Sequence, residues 1–331
     1  EQVPDKYRNF LMEKEVNTEK LMALGNQAES DGDVEKAIHY YKLAADAGNT
    51  DGLASIGLLY QYGTGVEQSY NLAIEWYQKI VDAGDVDGWY LLGTVYEDME
   101  DYTKSVYCYE KQIEEGGNCK YTAFYGLAKA YRFGLGKEED FPKALDYYQR
   151  AAGNGEIAAM VDLGQLYYDG NGVKQDYIIA NYWFEKAANS YNGNYLAFGH
   201  LGEAYHYGLG KEVNYDKAKE YYEKSLQIIK LCKFASTDIA YLTFYLNYSV
   251  FLHDTMKNTE ESIKYSKACL YAALKDTEDI VDNSQKDIVL LCQMLKDNIS
   301  LWKTEANDDN DNNSINNIND INNKNNGDND S

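Results

Sequence analysis

Few residues in this 331-residue chain are spaced for chemistry, and each such set has a competing structural reading. His200, Glu203 and His206 recur at three-residue intervals, which places them together on one side of a helix. Their order differs from His-Glu-x-x-His, the arrangement that offers a zinc ion two imidazoles and a water molecule a general base. They read as structural residues. His39 and His253 are remote from them, and Cys108, Cys119, Cys232, Cys269 and Cys292 are widely spaced, so no metal-ligand cluster is expected. An odd number of cysteines without Cys-x-x-Cys suits reduced core thiols of a cytoplasmic protein better than a disulfide framework. Paired glycines, as in Gly63-Thr64-Gly65 and Gly134-Leu135-Gly136, suggest a phosphate cradle only where they follow a strand. Here they recur between helical stretches, so they read as helix ends that need positive φ. With no nucleophile–base pair, paired carboxylate motif or cofactor fingerprint, the expectation is a protein that is not an enzyme and binds no cofactor.

The elements that would position these residues are set by an internal repeat, the first signal to seek in such a chain. A large apolar residue, then Gly or Ala, then Tyr three residues on, occurs at Ile56-Gly57/Tyr60, Leu92-Gly93/Tyr96, Leu127-Ala128/Tyr131, Leu163-Gly164/Tyr167 and Leu201-Gly202/Tyr205. Leu24-Gly25 is an earlier copy without the Tyr. The small residues are separated by 32, 36, 35, 36 and 38 positions. After each comes a small residue and an aromatic pair, as in Ala37/Tyr40-Tyr41, Ala73/Trp76-Tyr77, Ala144/Tyr147-Tyr148 and Ala218/Tyr221-Tyr222. Such spacing predicts helical hairpins in which Gly or Ala of the first helix makes room for a ring of the second. No hairpin of this kind buries its apolar face alone, so neighbours must stack. The fold expected is all-α: a right-handed superhelix, or α-solenoid, of stacked helical hairpins.

These residues resemble the Sel-1-like repeats, relatives of the tetratricopeptide repeat. The copy from Ala159 to Ala188 matches that pattern at Leu163, Gly164, Tyr167, Gly170, Gly172, Val173, Ala180, Trp183 and Lys186-Ala187-Ala188. The copies around Asp31-Gly32-Asp33 and Asp98-Met99-Glu100-Asp101 lack the longer glycine loop and look like plain tetratricopeptide units. The domain organisation expected is an N-terminal helix or extension over 1–20, about six repeats over 21–230, a different C-terminal region over 231–305 and a tail over 306–331.

Over 239–256 a strongly apolar helix is predicted, followed by helices over about 259–275, started by Asn258, and about 284–303. These three resemble the closing helices of the 14-3-3 proteins. Leu246-Asn247-Tyr248-Ser249-Val250-Phe251 is similar to that family's L-N-F-S-V-F segment, and Lys296-Asp297-Asn298-Ile299-Ser300-Leu301-Trp302 to its R-D-N-L-T-L-W segment. The resemblance implies that Asn247 and Asn298 hold the backbone of a bound peptide, that Leu246, Val250, Met294 and Trp302 form an apolar wall, and that Asp254 lies near the groove. Tyr195, in Asn194-Tyr195-Leu196-Ala197, matches the tyrosine of the family's R-Y-L-A, with Asn194 where the arginine would be. Read on the residues alone, an Asn on an apolar helix face links neighbouring helices, so both readings stand.

A doubly charged phosphate leaves water only for bidentate guanidinium partners. The three arginines, Arg8, Arg132 and Arg150, supply none at the positions the family requires. The phosphoserine pocket is therefore expected to be missing, and the partner to be a protein or peptide read with little phosphate dependence. The family's dimerising N-terminal helices have no match, so no dimer is implied. A net charge of −23 argues against nucleic acid or an anionic membrane as the main partner. No apolar run is long enough to insert in a bilayer, and the first residues lack the layout of a secretory signal. The Asn- and Asp-rich tail reads as disordered from composition. The function expected is a cytoplasmic, non-enzymatic adaptor that binds partner segments in a concave groove. The repeat resemblance also admits a scaffold for membrane-protein quality control or complex assembly.

Overall fold

The computed structural model describes the backbone of residues 5–191, 193–231, 238–276 and 285–325, and side chains within 17–306 apart from 275, 276 and 285. Among them are fifteen α-helices and no strand. The chain divides between Lys174 and Gln175 into two compact units.

Unit 1 contains α1 (Asp5–Ser30), α2 (Val34–Asp46), α3 (Thr50–Tyr62), α4 (Tyr70–Asp82), α5 (Asp87–Asp98), α6 (Tyr102–Glu115), α7 (Lys120–Phe133), α8 (Phe141–Gly153) and α9 (Ile157–Asp169). Each of the pairs α1–α2, α3–α4, α5–α6 and α7–α8 is a hairpin whose second helix packs on the first helix of the next, the arrangement of an α-solenoid. Of the N-terminal helix or extension expected over 1–20, the structure has a helix, and α1 runs unbroken from it into the first hairpin. Its Gly25 is tolerated there as the notch for Tyr41, whose ring a Cβ would meet at 2.3 Å.

The small-into-large rule holds at the level of atoms. A Cβ on Gly57 would lie 2.2 Å from the Tyr77 ring, and Cβ atoms on Gly93 and Gly126 would meet opposite edges of the Tyr109 ring at 2.5 and 2.4 Å. One tyrosine therefore fixes the approach of two successive first helices. Such rings carry hydroxyls into the interior, where an unmade hydrogen bond costs about 1–3 kcal/mol. The residue four positions after the small one answers: Tyr41 donates to Glu29 at 2.7 Å, Tyr77 to Gln61 at 2.7 Å and Tyr109 to Glu97 at 2.7 Å.

The paired glycines have a second duty. Gly134 and Gly136 adopt φ of 67° and 69°, and the first closes α7 by donating to the Ala130 carbonyl. A Cβ on Gly136 would come within 2.5 Å of the Tyr102 backbone, at the start of the preceding hairpin's second helix. Gly172 stands in the same way against Phe141, at 2.6 Å. The loops are spacers between repeats.

Unit 2 contains α10 (Tyr177–Ala188), α11 (Tyr195–Tyr207), α12 (Tyr215–Leu231), α13 (Ile239–Val250), a π-helical turn (Phe251–Thr255), α14 (Thr259–Asp276) and α15 (Gln285–Asn325). The compact units meet at 174/175, a division distinct from the change of sequence pattern expected near residue 230, and unit 2 spans that change. The reason is a shared core: Tyr222 and Leu226 of α12 bury against Leu242, Phe244 and Phe251, which continue to Cys269 and Leu295. Asn258 caps α14 as expected, accepting from the Glu261 amide at 3.1 Å. The expected start of the last helix at Ser284 lies outside the described residues. That helix continues to Asn325, through most of the tract read as a disordered tail. Neither Gly nor Pro occurs between Gln285 and Asn325 to stop it. Burial pushes the Cys108 and Cys269 thiols up to about 12, so they remain protonated core groups, whereas Cys232 lies outside the described residues.

Candidate peptide-binding site

The residues singled out by sequence fall on two strips of unit 2 and in its core. Asp238 caps α13, accepting from the amide of Ala240 at 2.8 Å. From Leu242 to Leu252 only Thr243, Asn247 and Val250 escape full burial. Their spacing of four and three residues makes one stripe on α13. On α15, which packs against α13, Met294 is exposed, Asn298 half-buried and Trp302 buried, at successive four-residue steps. The structure thus places Asn247 with Val250 on α13, and Met294 with Asn298 on α15.

Leu246 and Tyr195 are placed otherwise. Both belong to the core of unit 2, at 6% and 8% exposure. Tyr195 opens α11, where Asn194 caps the helix by accepting from the amides of Leu196 at 2.9 Å and Ala197 at 3.2 Å. The Tyr195 carbonyl accepts from the Ser225 hydroxyl at 2.8 Å, and burial, with Asp238 nearby, pushes its phenol up to about 12. The position where the resemblance would put an arginine is therefore a helix cap.

Asn247 carries the most informative contact. Its Nδ2 donates to Oε1 of Glu203 on α11. Glu203 also meets His200, whose Nδ1 lies 3.3 Å from Oε2 and whose ring stacks on Phe184 at 4.5 Å. The sequence reading took Glu203 as structural and missed that it orients Asn247. The available signal was its place one residue after Gly202, on the face of the first helix that looks towards the next. One N–H and the carbonyl oxygen of Asn247 remain for a ligand, and the Asn298 side chain has no hydrogen bond among the described residues. A peptide unit offers the matching acceptor and donor.

At the end of α13 the backbone widens: the Met256 amide donates to Phe251 at 3.1 Å, five residues back. This places Thr255 Oγ1 2.8 Å from Nε2 of His206, whose imidazole burial holds below its ordinary value. Asp254 is exposed and sits 2.7 Å from Nδ1 of His253. Trp302 is covered by the His253 ring, stacked at 4.7 Å, while Nε2 of that imidazole lies 3.0 Å from Glu305. Trp302 is hence part of the packing that ties α15 to the π-helical turn. The charged group that meets the Asn247 amide is a carboxylate, that of Glu203.

A stack of helical hairpins joined to amide-bearing closing helices defines a protein-interaction scaffold. Family models agree: the Sel1 repeat matches residues 23–49, 50–85, 123–156 and 157–192, a tetratricopeptide repeat matches 86–115, and the 14-3-3 protein matches 202–303. The chain is 33% identical over 86 residues to the 14-3-3-like protein GF14-D of Oryza sativa subsp. japonica, covering 26% of this chain and 32% of that protein. It is 36% identical over 64 residues to 14-3-3 protein homolog 1 of Echinococcus multilocularis, 19% of this chain and 26% of the relative. The match thus spans about a third or less of these curated relatives. Among solved structures, a Sel1 repeat protein from Oxalobacter formigenes superimposes with a TM-score of 0.63 at 24% identity, over 77% of this chain and all of that one. The protective antigen c5321 of uropathogenic Escherichia coli, which displays an SLR fold, gives 0.54 at 21% identity over 89% of this chain and 72% of its own. Both share the fold. The 14-3-3 match begins inside α11, so α11 and α12 belong to the repeat pattern and to the 14-3-3 segment at once.

Proposed function

We propose that this chain is a non-enzymatic adaptor whose unit 2 holds an extended partner segment through the side-chain amides of Asn247 and Asn298, without requiring a phosphate. The observation that carries the reading is the Asn247–Glu203 contact: the amide is held in place by a carboxylate, where a phosphate-reading site would need cations. Unit 2 contains no arginine at all. Val250 and Met294 supply apolar contact beside the amides. A cytoplasmic setting belongs to the same reading and is supported by the buried thiols of Cys108, Cys269 and Cys292.

The test is an array of partner-derived 12-residue peptides, each made with serine and with phosphoserine, against the full chain. Asn247→Ala and Asn298→Ala should each weaken capture by about tenfold, or about 1.4 kcal/mol, and the phosphorylated and plain members should differ by less than that. Captured peptides indifferent to both variants would remove unit 2 as the binding element. A phosphate preference above tenfold would refute the charge argument.

The four Sel1 matches favour a second reading: a Sel1-type scaffold for membrane-protein quality control or complex assembly, with the repeats alone binding. Full capture of a partner by the Asn247→Ala/Asn298→Ala double variant, together with loss on altering unit 1, would select it.

A further inference from the structure

We propose a second binding site in unit 1: a recess between α5 and α7 that accepts an arginine side chain presented by a partner polypeptide. It does not depend on the amides of unit 2. The recess measures about 300 Å³ and opens to solvent, room for a guanidinium and its stem with the backbone left outside.

The repeat itself builds it. Tyr109 fills the notches of Gly93 and Gly126, so α5 and α7 are locked at one depth, and the residues that follow the small positions face the opening. Glu97 and Asp98 come from α5, Lys129 from α7, and Glu156 from the loop before α9, with Tyr62 and Tyr90 as aromatic walls.

Charge within the recess is uneven. Lys129 forms an ion pair with Glu97, which also accepts from Tyr109. Asp98 accepts from the Gln61 amide at 2.7 Å and Glu156 from the Thr122 hydroxyl at 3.2 Å, both neutral donors. Two carboxylates therefore lack an ion-pair partner among the described residues. An anion would meet them and find the one ammonium already engaged.

The chain's own cation shows what is recognised here. Lys129 sits on a carboxylate and, at the same time, 5.3 Å from the centre of the Tyr125 ring. A guest cation would find the same pairing of carboxylate and tyrosine at Asp98 with Tyr62 and at Glu156 with Tyr90. Arginine suits it best, because its planar head bonds a carboxylate bidentately and stacks on a phenol. A bare metal ion is a poor fit, since no group of three or more ligating side chains among the described residues is placed to hold one.

The probe is a 12-residue Gly/Ser/Ala peptide with arginine at positions 5 and 8, titrated calorimetrically into the full chain beside its citrulline twin. Citrulline keeps the shape and removes the charge. The arginine peptide should bind at least tenfold tighter than its twin. The double variant Asp98→Asn/Glu156→Gln, which keeps the bonds to Gln61 and Thr122, should lose at least tenfold. Neutralising two exposed carboxylates of unit 1 outside the recess, Glu67→Gln/Glu75→Gln, should change affinity less than threefold. Equal binding of the two peptides would overturn the proposal without any variant needing to fold. Equal losses from the two double variants would overturn it as well, leaving only the field of a highly acidic protein. The amide variants of unit 2 should bind the probe unchanged, so failure here and failure there are separable.

Discussion

Lys129 in unit 1 and Glu203 in unit 2 occupy the same place in the repeat, one residue after the small position of a first helix, and they carry opposite charge. Lys129 reaches back to Glu97 of the preceding hairpin, whereas Glu203 is reached by Asn247 of α13, two helices further on. The position is thus a linker between neighbouring helices in both units. In the recess of unit 1 the one lining ammonium, Lys129, is spent on one of three lining carboxylates, which leaves the recess acidic and lined with tyrosine. In unit 2 a carboxylate orients an amide, the contact on which the proposed backbone clamp rests.

The comparison can be broken first through the ring that holds the Lys129 side of it together. Tyr109→Ala empties two glycine notches and strips Glu97 of a donor. A loss of about 3–5 kcal/mol is expected in unit 1, read as loss of hydrogen-exchange protection in α5–α7 with unit 2 little changed. Equal loss of protection in both units would mean that they share one core. Lys129→Met is the next step down. The pair is more than two-thirds buried on both sides, at 29% and 28% exposure, so a cost of about 1 kcal/mol in urea unfolding is expected, discounted for screening.

Reversing the sign in unit 2 sharpens the contrast. Glu203→Lys should raise the preference for phosphoserine over serine peptides by up to about tenfold, because it puts a cation where the carboxylate stood. An unchanged ratio would show that phosphate discrimination does not depend on this position.

The smallest effect expected is that of pH. Burial holds His206 below 6.5, against a partial opposing influence of Asp254 and Glu203, while Phe251, Tyr207 and Tyr215 crowd the ring. The unfolded chain then binds the proton more readily than the folded one. Stability from this group is present above 6.5 and declines as the pH falls from 6.5 towards the depressed value. The thermal midpoint of unit 2 should drop over that window, and His206→Leu should flatten the slope. A midpoint that rises on acidification would reverse the assignment.

Much of this was written in the chain itself. Recurrence of Gly or Ala before an aromatic pair determines hairpins, because no larger residue fits beneath the rings of Tyr77 or Tyr109, and the paired glycines determine where first helices end. Asn258 could be read as a cap from its place before apolar periodicity. Local rules of this kind act within a few residues and survive in any one sequence.

What only tertiary structure decided lies across neighbours in space. The orientation of the Asn247 amide depends on Glu203, 44 residues away, and the acidic recess gathers Tyr62, Asp98, Lys129 and Glu156 from four separate stretches. Tyr195, which its motif marks as a ligand contact, lies in the core of unit 2, an environment that α12 and α13 set. Side-chain charge is a property of one residue, but the charge a ligand meets is a sum over packed helices, and periodicity along the chain does not encode that sum.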